Sequence, residues 1–187
     1  MSDMNLNLPI SNLEDLKKYV IEHGTHRTVG RGEVLVKEGE DNGKMFLIRN
    51  GSFKCARLDS RGHERVLALM FDGDLVANYL TTRCGVPSMF DVVALEESTG
   101  YEVDLSACAD DFERTVEGTT YVHGFVEALA YNHLCRALSL ACLSPWERLD
   151  ELRSKIPDIF ARVDRRVIAS YIGVSPETLS RRLHEIL

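Results

Sequence analysis

The sequence has little with which to build a disulfide framework or a metal site. Its five cysteines, Cys55, Cys84, Cys108, Cys135 and Cys142, are odd in number and form no CxxC pair, which excludes paired bridges and a zinc knuckle as organising features. Cys135 and Cys142 lie seven apart in a helical stretch and share a face, where small buried hydrophobes are expected rather than ligands. Long apolar runs are also missing. Stretches such as Leu138 to Leu143 fall far short of the roughly 20 residues that span a bilayer. The N-terminus carries polar Ser2, Asp3 and Asn5 in place of a cationic, then apolar, signal segment. These absences predict reduced thiols, a cytoplasmic protein, no membrane partner, and neither metal nor cofactor.

What is present is ordinary globular material. At 44% hydrophobic and 27% charged residues, with no low-complexity tract, the chain can bury a core. Its 187 residues suit two unequal domains. The net charge of −7 argues against nucleic-acid binding only until it is divided along the chain. Residues 144–187 hold eight Lys/Arg and seven Asp/Glu, a balance of +1, which leaves 14 against 22, or −8, for residues 1–143. All the acidity sits in the larger part.

From about Arg31 to Val103, short β-type runs alternate with glycine-centred turns, an all-β signature. The runs are Glu33 to Lys37, Met45 to Arg49, Ser52 to Leu58, Glu64 to Phe71 and Asp91 to Leu95. In Val66 to Phe71 both faces are apolar, so that strand should be covered on both sides. Ahead of the strands, Leu13, Leu16, Tyr19 and Val20 repeat at helical spacing behind the cap candidate Ser11 and its Glu14. After them, Leu105 to Val116 reads as a connecting helix and Thr119 to Leu143 as a long one. At about 25 residues, or roughly 37 Å, the latter exceeds what a small barrel covers. Its stripe of Val122, Phe125, Val126, Leu129, Leu134, Leu138 and Ala141 suits packing either on a second copy or inside one monomer. Ser144-Pro145-Trp146-Glu147 then starts a new helix as a capping box, stopped by Pro157. This division gives a β-barrel domain over 1–118, a long helix and hinge over 119–143, and a helical domain over 144–187.

Asp164 to Leu187 reads as helix, tight turn, helix. Val167, Ile168, Tyr171 and Ile172 form the inner face of the first helix, Gly173 ends it in the αL conformation, and Ser175 and Pro176 start the second. On a helical wheel Leu179, Leu183 and Ile186 share the core side, while Glu177, Arg181 and His184 face away. Arg181 can donate twice to guanine N7 and O6, and Glu177 can accept from a cytosine amino group. Ser175, Thr178, Ser180 and Arg182, with Arg165 or Arg166 at the start of the first helix, suit phosphate contacts that set register. The bland alternative is a solvated surface helix with a weak Glu–Arg pair at i, i+4.

Ile168-Ala169-Ser170-Tyr171-Ile172-Gly173-Val174-Ser175-Pro176-Glu177-Thr178-Leu179-Ser180-Arg181 resembles the helix-turn-helix of the Crp/Fnr regulators, in which the residues matching Glu177 and Arg181 contact bases. The β region is similar to that family's sensory jelly roll through Gly32-Glu33-Val34-Leu35, Glu38-Gly39-Glu40, Phe46-Leu47-Ile48-Arg49-Asn50-Gly51 and Phe71-Asp72-Gly73-Asp74-Leu75. The resemblance implies an α+β chain: an N-terminal jelly-roll β-barrel of cyclic-nucleotide-binding type, a long dimerisation helix and a C-terminal helix-turn-helix. It implies a homodimer on a palindromic double-stranded DNA site, a small-molecule effector in the barrel, and RNA polymerase as a further partner. Its cassette for cyclic nucleotides has a Gly-Glu and a Pro-Arg, the latter pairing with the phosphate. Here these are Gly73-Asp74 and Pro87-Ser88, which argues against cAMP. Gly73, Asp74, Arg83 and Ser88 are the effector-site candidates, with Arg83 either replacing the missing arginine or simply exposed. An iron–sulfur cluster is not expected, since no cysteine precedes Cys55, and nothing marks His63 or His123 as a haem ligand.

Two other functions compete. A sensor of the same fold that has lost DNA binding and acts through protein partners fits the −8 balance of residues 1–143. An enzyme on a cupin-like barrel would need converging His and carboxylate ligands, but Glu33 to Leu95 offers only His63. The expectation is therefore a DNA-binding regulator and not an enzyme.

Overall fold

The computed structural model describes residues 11–40, 43–78, 84–105, 107 and 115–186. Eight strands make two four-stranded antiparallel sheets. They are β1 (Thr25–Val29), β2 (Val34–Val36), β3 (Lys44–Asn50), β4 (Phe53–Leu58), β5 (Glu64–Met70), β6 (Leu75–Ala77), β7 (Asp91–Ala94) and β8 (Ser98–Asp104). One sheet runs β1-β8-β3-β6 and the other β2-β7-β4-β5. Between them Phe46, Ile48, Phe53, Val76, Val92 and Ala94 interdigitate, and the Phe46 and Phe53 rings meet edge to face at 5.8 Å. All five strand runs read from sequence appear.

The runs missed were β1, β6 and β8. β8 is the centre of its sheet, paired with both β1 and β3, yet its Gly100 interrupts any apolar alternation. A Cβ at Gly100 would collide with the Leu47 carbonyl and the Phe46 ring, so the residue that hides the strand is what lets Phe46 lie across it.

Helices cover both outer faces. α1 (Ser11–His23) and the first half of α2 (Val116–Cys142) lie on β3 and β8 through Leu16, Val20, Met45, Leu47, Val103 and Phe125. α2 has 27 residues, about 40 Å. Its Val122, Phe125 and Leu129 turn inward, whereas Val126, Leu134 and Leu140 are exposed. The connecting helix expected over Leu105 to Val116 falls almost wholly outside the described residues. α3 (Pro145–Lys155), α4 (Ile159–Arg162), α5 (Arg165–Ile172) and α6 (Pro176–Ile186) pack on the other outer face, where Leu149, Ile159, Ile168 and Leu179 share one apolar cluster with Ala56, Val66 and Phe71. The chain is thus a β-sandwich jelly roll followed by helices, an α+β arrangement. β5 is an edge strand, and its two-sided apolar pattern reflects the sandwich interior at Met70 and the helices at Val66, Leu69 and Phe71.

Candidate nucleic-acid interface

α5 and α6 form from the signals the sequence carries. α3 begins with a capping box in which the Glu147 N–H donates to Ser144 Oγ (3.3 Å) and the Ser144 N–H donates to Glu147 (2.8 Å). α5 ends at Gly173, whose φ of +84° is the αL conformation that lets its N–H reach the Ala169 and Ser170 carbonyls. Ser175 caps α6, its hydroxyl accepting the Thr178 N–H at 3.2 Å. Val167, Ile168, Ala169, Ile172 and Leu179 are buried where the two helices meet, with Leu183 packed beside them.

The face of α6 opposite this core is open. Glu177, Arg181 and His184 are exposed, as the wheel places them. Arg165 and Arg166 are exposed at the start of α5. The other predicted phosphate ligands have local partners. Ser175 and Thr178 share a hydroxyl–hydroxyl hydrogen bond of 3.1 Å. Ser180 is half-buried. Arg182 pairs with Glu185 at 3.4 Å and lies 5.7 Å over the Trp146 ring. Glu177 accepts from its own backbone N–H and from the Ser175 hydroxyl, and Arg166 adds attraction; together these hold its carboxyl below the ordinary value.

The residues that seat these helices on the sandwich are ones the sequence did not single out. Arg162, at the end of α4, donates to Asp72 (2.8 Å), Glu96 (3.1 Å) and the Gly51 carbonyl (2.9 Å), and lies over the Phe71 ring. Ser170 Oγ accepts the Val66 N–H and donates to the Glu64 carbonyl, both at 3.0 Å, on the open edge of β5. Arg136 of α2 donates to the Leu67 and Tyr171 carbonyls and stacks 3.8 Å from the Tyr171 ring centre; burial lowers its pKa. Arg148, 8% exposed, donates to Ile172, Ser139 and Leu143 carbonyls. An arginine or serine on a helix surface reads as solvated until its partner is known.

Of the effector-site candidates, Arg83 lies outside the described residues. Gly73 and Asp74 make a turn in which Asp74 Oδ2 accepts the Phe71 N–H at 2.8 Å and the backbone pairs with Ile48. Ser88 is buried and its hydroxyl donates to the Phe90 carbonyl at 2.7 Å. A cleft of about 370 Å³ opens elsewhere, between the sandwich and the helices, lined by Arg31, Glu96, Phe160, Arg162, Asp164 and Arg165. Burial pushes the Cys55 thiol up to about 12, which leaves it inert at neutral pH. His63 is an exposed neighbour of Asp59, 3.8 Å away. Among the described residues no three His, Cys, Asp or Glu side chains group as a metal site, and no helix is long and apolar enough to cross a membrane.

Residues 26–114 match the cyclic nucleotide-binding domain family. No curated protein matches the chain in sequence. Among solved structures it is similar to FixK2 from Bradyrhizobium japonicum, at 18% identity and a TM-score of 0.73, over 87% of this chain and 84% of that one. It is similar to the c-di-GMP-responsive global regulator CLP of Xanthomonas campestris, at 15% identity and 0.64, over 92% and 90%. The catabolite activator protein of Thermus thermophilus matches at 19% and 0.56, over 97% and 84%. At these identities the likeness establishes the fold, a cyclic-nucleotide-binding sandwich with helices after it.

Proposed function

We propose that the chain is a sequence-specific DNA-binding transcription regulator, working as a homodimer in the cytoplasm, and not an enzyme. The supporting observation is α6 itself: a capped helix set against α5 by a short αL turn, buried at Leu179, with Glu177, Arg181 and His184 exposed on its outer face. In this reading α5 and α6 are a helix-turn-helix. Arg181 and Glu177 read bases, and Ser175, Thr178, Ser180, Arg182, Arg165 and Arg166 lie along the phosphates. Phosphate oxygens only accept, so in this reading the Ser175 and Thr178 hydroxyls turn their protons from the bond they share to the backbone phosphates.

Residues 1–118 form the sensing domain in this reading, 119–143 the dimerisation helix and 144–187 the DNA-binding domain. The exposed Val126, Leu134 and Leu140 of α2 offer the seam for a second copy, and two-fold symmetry places the reading helices about 34 Å apart on a palindrome. RNA polymerase is the natural further partner. The effector is a small molecule other than cAMP, because Ser88 stands where a cyclic phosphate needs an arginine, and its hydroxyl is bonded to Phe90.

Selection from random duplexes at fixed salt tests this. The chain should enrich a palindrome, and Arg181→Ala should relax preference at one base pair per half-site, by about 1 to 3 kcal/mol. Enrichment of nothing, with or without cell extract, overturns it. One observation favours a second reading, a sensor that acts through protein partners: the −8 balance of residues 1–143 repels a polyanion. It predicts no salt-dependent DNA affinity, whereas neutralising several phosphates gives a steep salt slope.

A further inference from the structure

Among the described residues β5 ends its sheet, so the backbone groups along its outer side have no strand to bond. The C-terminal helices supply what is missing. Ser170 of α5 closes on the Val66 N–H and the Glu64 carbonyl, and Arg136 takes the Leu67 carbonyl. At the far end of the same contact one guanidinium gathers three separate turns of the sandwich. Arg162 bonds Gly51 of the β3–β4 turn, Asp72 of the β5–β6 turn and Glu96 of the β7–β8 turn, and Asp72 in turn accepts the Gly51 N–H at 2.7 Å.

The polar border of this contact is open to water, around an apolar centre at Val66, Phe71 and Ile168. The Asp72 and Glu96 side chains are 43% and 36% exposed, the 370 Å³ cleft brings solvent to Glu96 and Arg162, and the backbone groups it covers lie on an edge where water can replace the helix. We infer that α3–α6 dock on the β5 edge as one body and that Arg162 is the positioning residue that latches it, so the sandwich sets the direction in which α6 points. The bearing of that direction on DNA rests on the proposed function; the latch does not.

Hydrogen exchange on the whole 187-residue chain tests it. Asp72→Asn with Glu96→Gln keeps the shapes and removes both charges facing Arg162; Ser170→Ala removes the edge bond alone. The charge-neutral pair should speed exchange of the Val66 amide roughly tenfold while β3 and β8 amides keep their rates. Added salt near 1 M, where the Debye length is about 3 Å, should do the same to the unaltered protein. Ser170→Ala should speed Val66 and leave the emission of Trp146, the only tryptophan, unchanged. Unchanged Val66 exchange in the charge-neutral pair, or a parallel rise in β3 and β8, overturns the latch. Failure to select DNA while Val66 responds would overturn the proposed function and leave the latch standing.

Discussion

The two outer faces of the sandwich carry helices in different ways. On β3 and β8 the contact with α1 and α2 has a wholly buried apolar centre: Leu16, Val20, Met45, Leu47, Val103 and Phe125 are each at most 4% exposed. On β5 the contact with α3–α6 has an apolar middle at Val66, Phe71 and Ile168, and a polar border of Arg162, Ser170, Arg136 and the exposed Arg31–Asp164 pair. Apolar burial has no charge to screen or titrate, whereas exposed ion pairs are weak and screened. The first face therefore belongs to the sandwich as a permanent wall. The second is a joint whose polar border salt and acid can reach.

The largest effect expected is on the permanent face. Leu16→Ala, deleting a side chain 2% exposed, should cost about 2 to 5 kcal/mol. Thermal unfolding would show a lower Tm at every salt concentration; a loss that depended on salt would erase the contrast. A smaller effect is expected at the joint. Ser144→Ala removes the cap of α3 and should cost about 1 kcal/mol. Denaturant unfolding measures that loss, and no change in midpoint would show that Pro145 alone sets the helix start.

The smallest effect is on acid sensitivity. Desolvation raises Asp72, but hydrogen bonds from Arg162 and the Gly51 N–H outweigh it and hold the carboxyl below its ordinary value. A depressed folded-state pKa contributes stability above the unfolded value, about pH 3.9, that is lost as pH falls through the folded one. Exchange along β5 should therefore quicken below about pH 4 before β3 and β8 respond, and Asp72→Asn should abolish that order. Simultaneous loss of both faces in acid would mean that the border contributes nothing of its own.

Local chemistry was legible in the sequence and long-range chemistry was not. Ser144 and Glu147, or Gly173 and Ser175, carry their meaning within a few residues, and the structure shows each in its expected place. The outward residues Glu177 and Arg181 followed from the same short-range periodicity. β8 was hidden because Gly100 is required by Phe46, over fifty residues away in the chain. Arg162 and Ser170 were hidden for the same reason, since their partners lie 66 to 111 residues upstream. The five glycine-bounded runs marked an all-β region and the family resemblance made it a jelly roll, but which sheet face would meet which helix depends on contacts that no window of sequence contains.

Arg148 gives the joint its mechanical character. Its guanidinium ties carbonyls at the end of α2, Ser139 and the capping Leu143, to the last carbonyl of α5, at Ile172, and an added Cβ at Gly173 would stand 3.4 Å from it. Turning α3–α6 against α2 would strain these bonds together, and a buried guanidinium left with a partial set is costly. One side chain thus serves the ends of two helices from a third, so its loss would strip a donor from both at once.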